Sequence, residues 1–191
     1  MDENQLEINA PAPKFEAKAY HQGKIVNVKL TDYKGKWVVL FFYPADFTFI
    51  CPTELGELAE HYDELQKLNV EVLSVSTDTV YTHAAWATHS PMVATVKYPM
   101  VADPAAQICN AYGTIIPMEG ISLRGTFIID PDGVLKAFEM HDNSIGRSTT
   151  ELIRKIKAAQ FVREHGGEVC PASWQPGKKT LKPGLDLVGK I

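Results

Sequence analysis

Two short runs, the unbroken apolar Trp37 to Tyr43 (WVVLFFY) and the valine-rich Val70 to Ser76 (VEVLSVS), constrain this chain more than any other feature. Runs of this length, rich in β-branched and aromatic residues, read as buried or half-buried strands. Between them Leu55, Leu58, Ala59, Tyr62, Leu65 and Leu68 recur at helical spacing, with acidic residues on the opposite face. Strand, amphipathic helix and strand in that order make a βαβ unit, which requires parallel strands and a right-handed crossover. The expected fold class is therefore α/β.

The rest of the chain continues the alternation. Residues 79–89 read as a second helix, with Ser76, Thr77 and Asp78 before it to supply capping side chains. Thr126 to Asp130 reads as a strand, Pro131-Asp132-Gly133 as a hairpin turn, and Val134 to Met140 as the returning partner. A long helix is expected from near Ser148, where Ser148-Thr149-Thr150-Glu151 has the capping-box pattern, to the stop at Gly166-Gly167. Beyond it, prolines at 171, 176 and 183 and glycines at 177, 184 and 189 leave little periodicity. That tail is expected to be an extended arm that needs a partner surface to be ordered. A length of 191 residues suits one domain, or one domain carrying such an arm.

Composition narrows the function classes. With a formal net charge of −4 and no long basic stretch, the chain offers no footprint for nucleic acid. Its longest apolar run is far below the roughly twenty residues of a membrane-spanning helix. The start, Met1-Asp2-Glu3-Asn4-Gln5, lacks the basic and apolar stretches of a secretory leader. Three cysteines form no disulfide framework, and without a Cys-x-x-Cys pair they point to no zinc site. The expectation is a cytoplasmic protein, without membrane or nucleic-acid partners, whose special cysteines are catalytic.

Cys51 is the foremost of these. It lies in FFYPADFTFICPTE (41–54), where the first strand hands over to a helix N-terminus. The positive end of a helix dipole favours a thiolate there, so the position suits a nucleophile better than a packing residue. Cys-Pro-Thr-Glu has Glu54 where a dithiol motif would carry its second cysteine, so any disulfide chemistry must recruit a distant partner. Cys170, at the root of the tail, is the better candidate. Cys109, in AQICNAY, has the spacing of a short buried helix. Thr48 can point a hydroxyl at the same pocket or cap a helix. Pro44 can end the strand or shield the thiol from water. Arg124, at the mouth of the later strand, is either a surface arginine or a guanidinium that faces a thiolate and a developing oxyanion.

The segment Phe42 to Glu54 resembles the active-site loop of a typical two-cysteine peroxiredoxin, most of all the bacterial alkyl hydroperoxide reductase C branch of that family. The resemblance continues through Ser74 to Thr79 (SVSTDT), His83 to Trp86, Arg124 to Asp130 (RGTFIID), Ile145 to Arg147, Gly167 to Ala172 (GEVCPA) and Leu185 to Ile191, and so covers essentially the whole chain. It implies a thioredoxin-like fold with a central mixed sheet flanked by helices, over residues 1–166, and a C-terminal arm over 167–191 that carries the resolving cysteine. It implies a thiol-dependent peroxidase for hydrogen peroxide and organic hydroperoxides. In it Cys51 is the peroxidatic cysteine and Cys170 the resolving one, joined between subunits as a disulfide. Pro44, Thr48 and Arg124 complete the peroxide pocket, with Glu54 and Arg147 as supporting charges. It implies no metal or organic cofactor, a homodimer assembling to a decamer, and a flavoprotein disulfide reductase or thioredoxin as reductant.

Two departures from the family pattern matter. Thr88 to Met100 lacks the Gly-Gly-Leu-Gly motif of peroxide-sensitive eukaryotic relatives, and the tail lacks their Tyr-Phe pair, which implies comparative resistance to overoxidation. Asn110 to Ser122 departs from the enterobacterial pattern, so the loop before Arg124 has no expected shape. Three rival functions fit parts of the sequence. A thioredoxin-type oxidoreductase is opposed by Glu54. A ring-forming holdase would act without Cys51. A redox sensor would need a partner that no motif specifies.

Overall fold

A computed structural model describes residues 6–190. Met1 to Gln5 and Ile191 lie outside the described residues, and with them the expectation about a leader and the last residue of the tail motif. The structure falls into two compact units that divide between Arg147 and Ser148, so the long helix groups with the tail.

The first unit is built on a seven-stranded mixed sheet. Its strands are β1 (Glu16–His21), β2 (Lys24–Lys29), β3 (Trp37–Phe42), β4 (Val70–Ser76), β5 (Met100–Ala102), β8 (Arg124–Ile129) and β9 (Leu135–His141), in the spatial order β2-β1-β5-β4-β3-β8-β9. A separate two-stranded hairpin, β6 (Ile115–Ile116) and β7 (Ile121–Ser122), precedes β8. β3 pairs parallel with β4, and β4 with β5, as the βαβ reading requires. The remaining pairs in the large sheet are antiparallel.

Every residue of β3, β4 and β8 is buried, which explains why β3 runs apolar instead of alternating. Glu71 is the charged exception inside β4. Its carboxylate accepts from Tyr62 Oη at 2.7 Å and from the Val72 N–H at 3.0 Å. The core of this unit centres on Phe42, Tyr112 and Phe127, whose rings meet at 4.9–5.4 Å between centroids. Each such side chain stabilises the fold by about 1.5–3 kcal/mol through burial.

The amphipathic segment is two helices, α1 (Cys51–Glu60) and α2 (Tyr62–Lys67), with a break at His61. The next helix, α3 (Val80–His89), is capped by Thr79, whose hydroxyl accepts from the Thr82 N–H. The expected caps Ser76 and Asp78 instead bond each other, Ser76 Oγ donating to Asp78 Oδ2 at 2.7 Å. Cys109 sits in the short helix α4 (Gln107–Ala111). The turn between β8 and β9 forms as read, with Gly133 at φ +82° and the Asp130 carboxylate accepting from the Asp132 and Val134 N–H groups. The β1–β2 hairpin was not legible in the sequence, because its alternation is half-exposed on both faces.

In the second unit α5 (Thr149–Glu164) starts at Ser148, whose hydroxyl accepts from the Glu151 N–H. The capping box is half formed, since the Glu151 carboxylate is taken by Arg154. The tail is less extended than its composition suggests. Val169 and Leu181 exchange both backbone hydrogen bonds, and Trp174 is buried against Phe161 of α5. Among the described residues, no helix is long and apolar enough to cross a membrane.

Candidate active site

The buried strand β3 ends at Phe42, and Tyr43 and Pro44, both buried, open the loop that leads into α1. A hydrogen-bonded group that sequence reasoning missed anchors that loop. Tyr43 Oη donates to Asp46 Oδ1 at 2.7 Å, and His83 Nδ1 of α3 lies 2.7 Å from Asp46 Oδ2, all three side chains being buried. The Asp46 N–H donates to Asp78 Oδ2 at 2.9 Å. Burial pushes the Asp46 carboxyl up against the opposing pull of His83. Phe47 adopts a left-handed φ of +56°, which costs about 1–2 kcal/mol, and its ring rests on Trp86 at 6.0 Å. The histidine joins the tyrosine and the aspartate across 40 and 37 residues, which leaves no local pattern to read.

Cys51 is the first residue of α1 and is fully buried. Pro52 follows at a position where a missing N–H does no harm, and the start of any helix leaves N–H groups without intrahelical partners. Arg124 opens β8, which lies beside β3 in the sheet, and this adjacency carries its guanidinium to the thiol. Arg124 Nη1 is 3.4 Å from Cys51 Sγ and 2.7 Å from Glu54 Oε2. Its Nε and Nη2 donate to the Asn143 carbonyl at 3.1 and 2.9 Å, which fixes the plane of the guanidinium. A backbone acceptor such as Asn143 O leaves no trace in a sequence.

Glu54 joins two arginines. Arg147 Nε and Nη2 make a fork onto its two oxygens, each at 2.9 Å, and the Arg147 N–H adds a bond to Oε1 at 2.8 Å. Arg147 Nη1 donates to the Gly125 carbonyl at 2.9 Å, and its Cζ lies 3.4 Å from the centroid of the Phe41 ring. Burial would raise the Glu54 carboxyl, but the bonds and charges of Arg147 and Arg124 outweigh it and hold the group below its ordinary range. Glu54 therefore stays ionised in a nearly dry site, with a spare guanidinium edge turned to the sulfur.

The structure thus brings Cys51, Glu54, Arg124 and Arg147 together, and Pro44 and Thr48 lie in the loop that leads into α1. Thr48 Oγ1 donates to the Ala45 carbonyl at 2.8 Å, so its hydrogen is engaged and its lone pairs remain. The other two cysteines are elsewhere. Cys109 is fully buried, and burial together with Asp103 pushes its thiol up to about 12. Cys170 belongs to the second unit, half-buried, with Sγ 3.9 Å from the Ala158 carbonyl. Burial pushes its thiol up, partly countered by Arg154. Among the described residues, no three His, Cys, Asp or Glu side chains converge as a metal site would require.

The model of the AhpC/TSA family matches residues 8–138, and that of the C-terminal domain of 1-Cys peroxiredoxin matches residues 158–188, which include Cys170. Alkyl hydroperoxide reductase C of Salmonella typhimurium is 50% identical over 184 residues, covering 96% of this chain and 98% of the relative. The protein of the same name from Amphibacillus xylanus is 51% identical over 185 residues. Among solved structures, Enterococcus faecalis AhpC superposes with a TM-score of 0.83 at 49% identity, covering 86% of this chain and 98% of the other. The reduced 2-Cys peroxiredoxin of Plasmodium vivax gives 0.89 at 35% identity, over 95% and 96%.

Proposed function

The chain belongs to the AhpC/TSA family, and from that premise we propose that it is a thiol-dependent peroxidase reducing hydrogen peroxide and organic hydroperoxides to water and alcohols. The observation that carries the reading is the buried Cys51 sulfur, 3.4 Å from an Arg124 guanidinium that Glu54 and Asn143 hold in place.

In this cycle the Cys51 thiolate attacks one oxygen of the hydroperoxide. The S–O bond forms as the O–O bond breaks, and the departing oxygen leaves as water or alcohol after taking a proton. Arg124 faces the charge that develops along this line, and the Cys51 N–H at the start of α1 adds a further donor. Thr48, whose hydrogen goes to Ala45, presents lone pairs that accept from the hydroperoxide O–H and so orient it. Pro44 shields the thiol from water. Glu54 and Arg147 do not touch the peroxide in this reading. They fix Arg124.

Cys51 sulfenic acid then condenses with Cys170 of a second subunit. The S–S bond forms, the S–O bond breaks, and water leaves with the thiol proton. An external dithiol, a flavoprotein disulfide reductase or thioredoxin, regenerates both thiols. Residues 167–191 act as the arm that carries Cys170 to its partner. A homodimer that assembles to a decamer is supported by the sheet edge at β9, where Phe138 is 44% exposed, and by the exposed Phe47 in the active-site loop. The reading places the enzyme in the cytoplasm, where a reducing thiol pool keeps both cysteines available.

Non-reducing gels and intact mass of wild type, Cys51→Ser and Cys170→Ser, after one equivalent of peroxide, test the reading. A dimer-sized band in wild type alone supports it. A band that survives loss of Cys170 points to Cys109 and overturns the assignment.

A further inference from the structure

Four residues of α5, Glu151, Arg154, Ala158 and Phe161, recur at spacings of three and four and so share one face of the helix. The tail folds onto that face as a closed loop. The Val169–Leu181 bridge draws its ends together, and Trp174 fills its middle with Nε1 donating to the Lys178 carbonyl at 3.0 Å. Trp174 is only 3% exposed, and its ring lies 4.9 Å from that of Phe161. Arg154 ties the loop to the helix. Its Nε and Nη2 bond both oxygens of Glu151 at 2.7 and 2.8 Å, which aims Nη1 at the Trp174 carbonyl at 3.1 Å. Cys170 lies within this loop, its sulfur turned to the helix backbone at Ala158.

We propose that Arg154 is a positioning residue for the resolving step: with Glu151 and Trp174 it latches the 168–182 loop onto α5, and release of this latch sets how fast Cys170 reaches a sulfenic acid. The inference rests on the role of Cys170 proposed above. The geometry makes the latch a brake. A sulfur facing its own helix cannot enter an S–S bond with another chain until the loop lifts, and the Arg154–Trp174 bond and the buried indole oppose that lifting. Burial also pushes the docked thiol up, against the smaller pull of Arg154, which makes the docked sulfur the poorer nucleophile. While the latch is closed, the sulfenic acid at Cys51 is exposed to a second hydroperoxide, which adds an oxygen to give sulfinic acid and releases water or alcohol. The latch therefore partitions Cys51 between disulfide and overoxidation.

Reduced protein is mixed with one equivalent of hydrogen peroxide and acid-quenched at intervals, and intact mass follows sulfenic acid and disulfide in one time course. The expected result for Arg154→Ala is a ratio of disulfide formation to sulfenic formation about fivefold higher than wild type, the factor that one net hydrogen bond carries. The sulfinic yield at tenfold excess peroxide falls by about the same factor. Glu151→Gln, which loosens the guanidinium without removing it, raises the ratio about twofold and serves if Arg154→Ala does not fold. An unchanged or lower ratio in the folded variants overturns the latch. If wild type forms no disulfide that depends on Cys170, the underlying role of Cys170 fails instead, and the two failures are told apart by the Cys170→Ser control in the same experiment.

Discussion

Glu54→Gln tests the charge at the centre of the site. The carboxylate receives Arg147 N, Nε and Nη2 at 2.8, 2.9 and 2.9 Å and Arg124 Nη1 at 2.7 Å. The three side chains are 2–3% exposed. Glutamine keeps the shape but withdraws the charge, and it turns one acceptor into an amide donor that faces guanidinium N–H groups. Two buried cations then share the site without a counter-ion. Removing one partner of a buried ion pair costs about 3–5 kcal/mol. Arg124 keeps the Asn143 carbonyl, and Arg147 keeps the Gly125 carbonyl and the Phe41 ring, so the lower end applies, about 3 kcal/mol. For a chain of this size that is a fall in melting temperature of about 6–12 °C at pH 7.

The pH dependence follows from the direction of the Glu54 shift. Its folded carboxyl is held below the ordinary 4.5, so the ion-pair contribution is fully present above that value and is lost as pH falls through the folded one. In acid the wild-type group is itself protonated, and the difference between wild type and Glu54→Gln closes. Equilibrium urea unfolding, followed by far-UV circular dichroism at fixed protein concentration from pH 7 down to pH 3.5, measures this. A variant as stable as wild type at pH 7, or a difference that widens in acid, refutes the reasoning.

The other variants address the thiols. Arg124→Ala is expected to slow Cys51 oxidation by about 10²–10³-fold, the cost of losing one preorganised donor. Full ionisation of an ordinary thiol at pH 7 gains only about thirtyfold, so thiolate absorbance titrated alongside rapid peroxide kinetics must show a rate loss beyond the ionisation loss; equal losses exclude a role for Arg124 on the leaving oxygen. Cys109, fully buried with its thiol pushed up to about 12, is expected to resist iodoacetamide in the native protein at pH 8 while Cys170 reacts, and peptide mapping that finds Cys109 alkylated first contradicts that placement.

How far the sequence could be read depended on how local each signal was. The runs at 37–43 and 70–76 and the leucine spacing between them specified the parallel β3–β4 pair, because strand burial and helical periodicity are written within one segment. The Ser148 cap was equally local. Cys51 stood out because strand end, thiol and helix start are adjacent. The roles of Glu54 and Arg147 as supporting charges entered only through family resemblance, since their bond spans 93 residues and depends on how the chain returns after β9. Thr48 was read as facing the pocket, and the spacing could not reveal that its hydrogen goes to Ala45. The contact of Asp46 with His83 had no local pattern, as it forms only once α3 lies beside the loop. The tail misled because proline and glycine content signals a lack of periodicity, which a loop pinned by one tryptophan also shows.

The start of α1 reconciles two demands that oppose each other. In the proposed cycle, attack on a peroxide needs Cys51 fixed to fractions of an ångström, whereas disulfide formation needs a fully buried sulfur brought out. A side-chain cap would serve the first demand and obstruct the second. The helices α3 and α5 have such caps, in Thr79 and Ser148, each contributing about 1 kcal/mol. At α1 the capping position is Ile50, which has no oxygen to offer and a helical φ, ψ of −84°, −38°. What holds the first turn instead is the Thr53 hydroxyl donating to the Ile50 carbonyl at 2.6 Å and the ion pairs of Glu54. Such pairs are strong while the site is dry and weaken steeply once water enters. The turn that carries Cys51 is therefore rigid when closed and easy to open once the first contact breaks, which both halves of the cycle require.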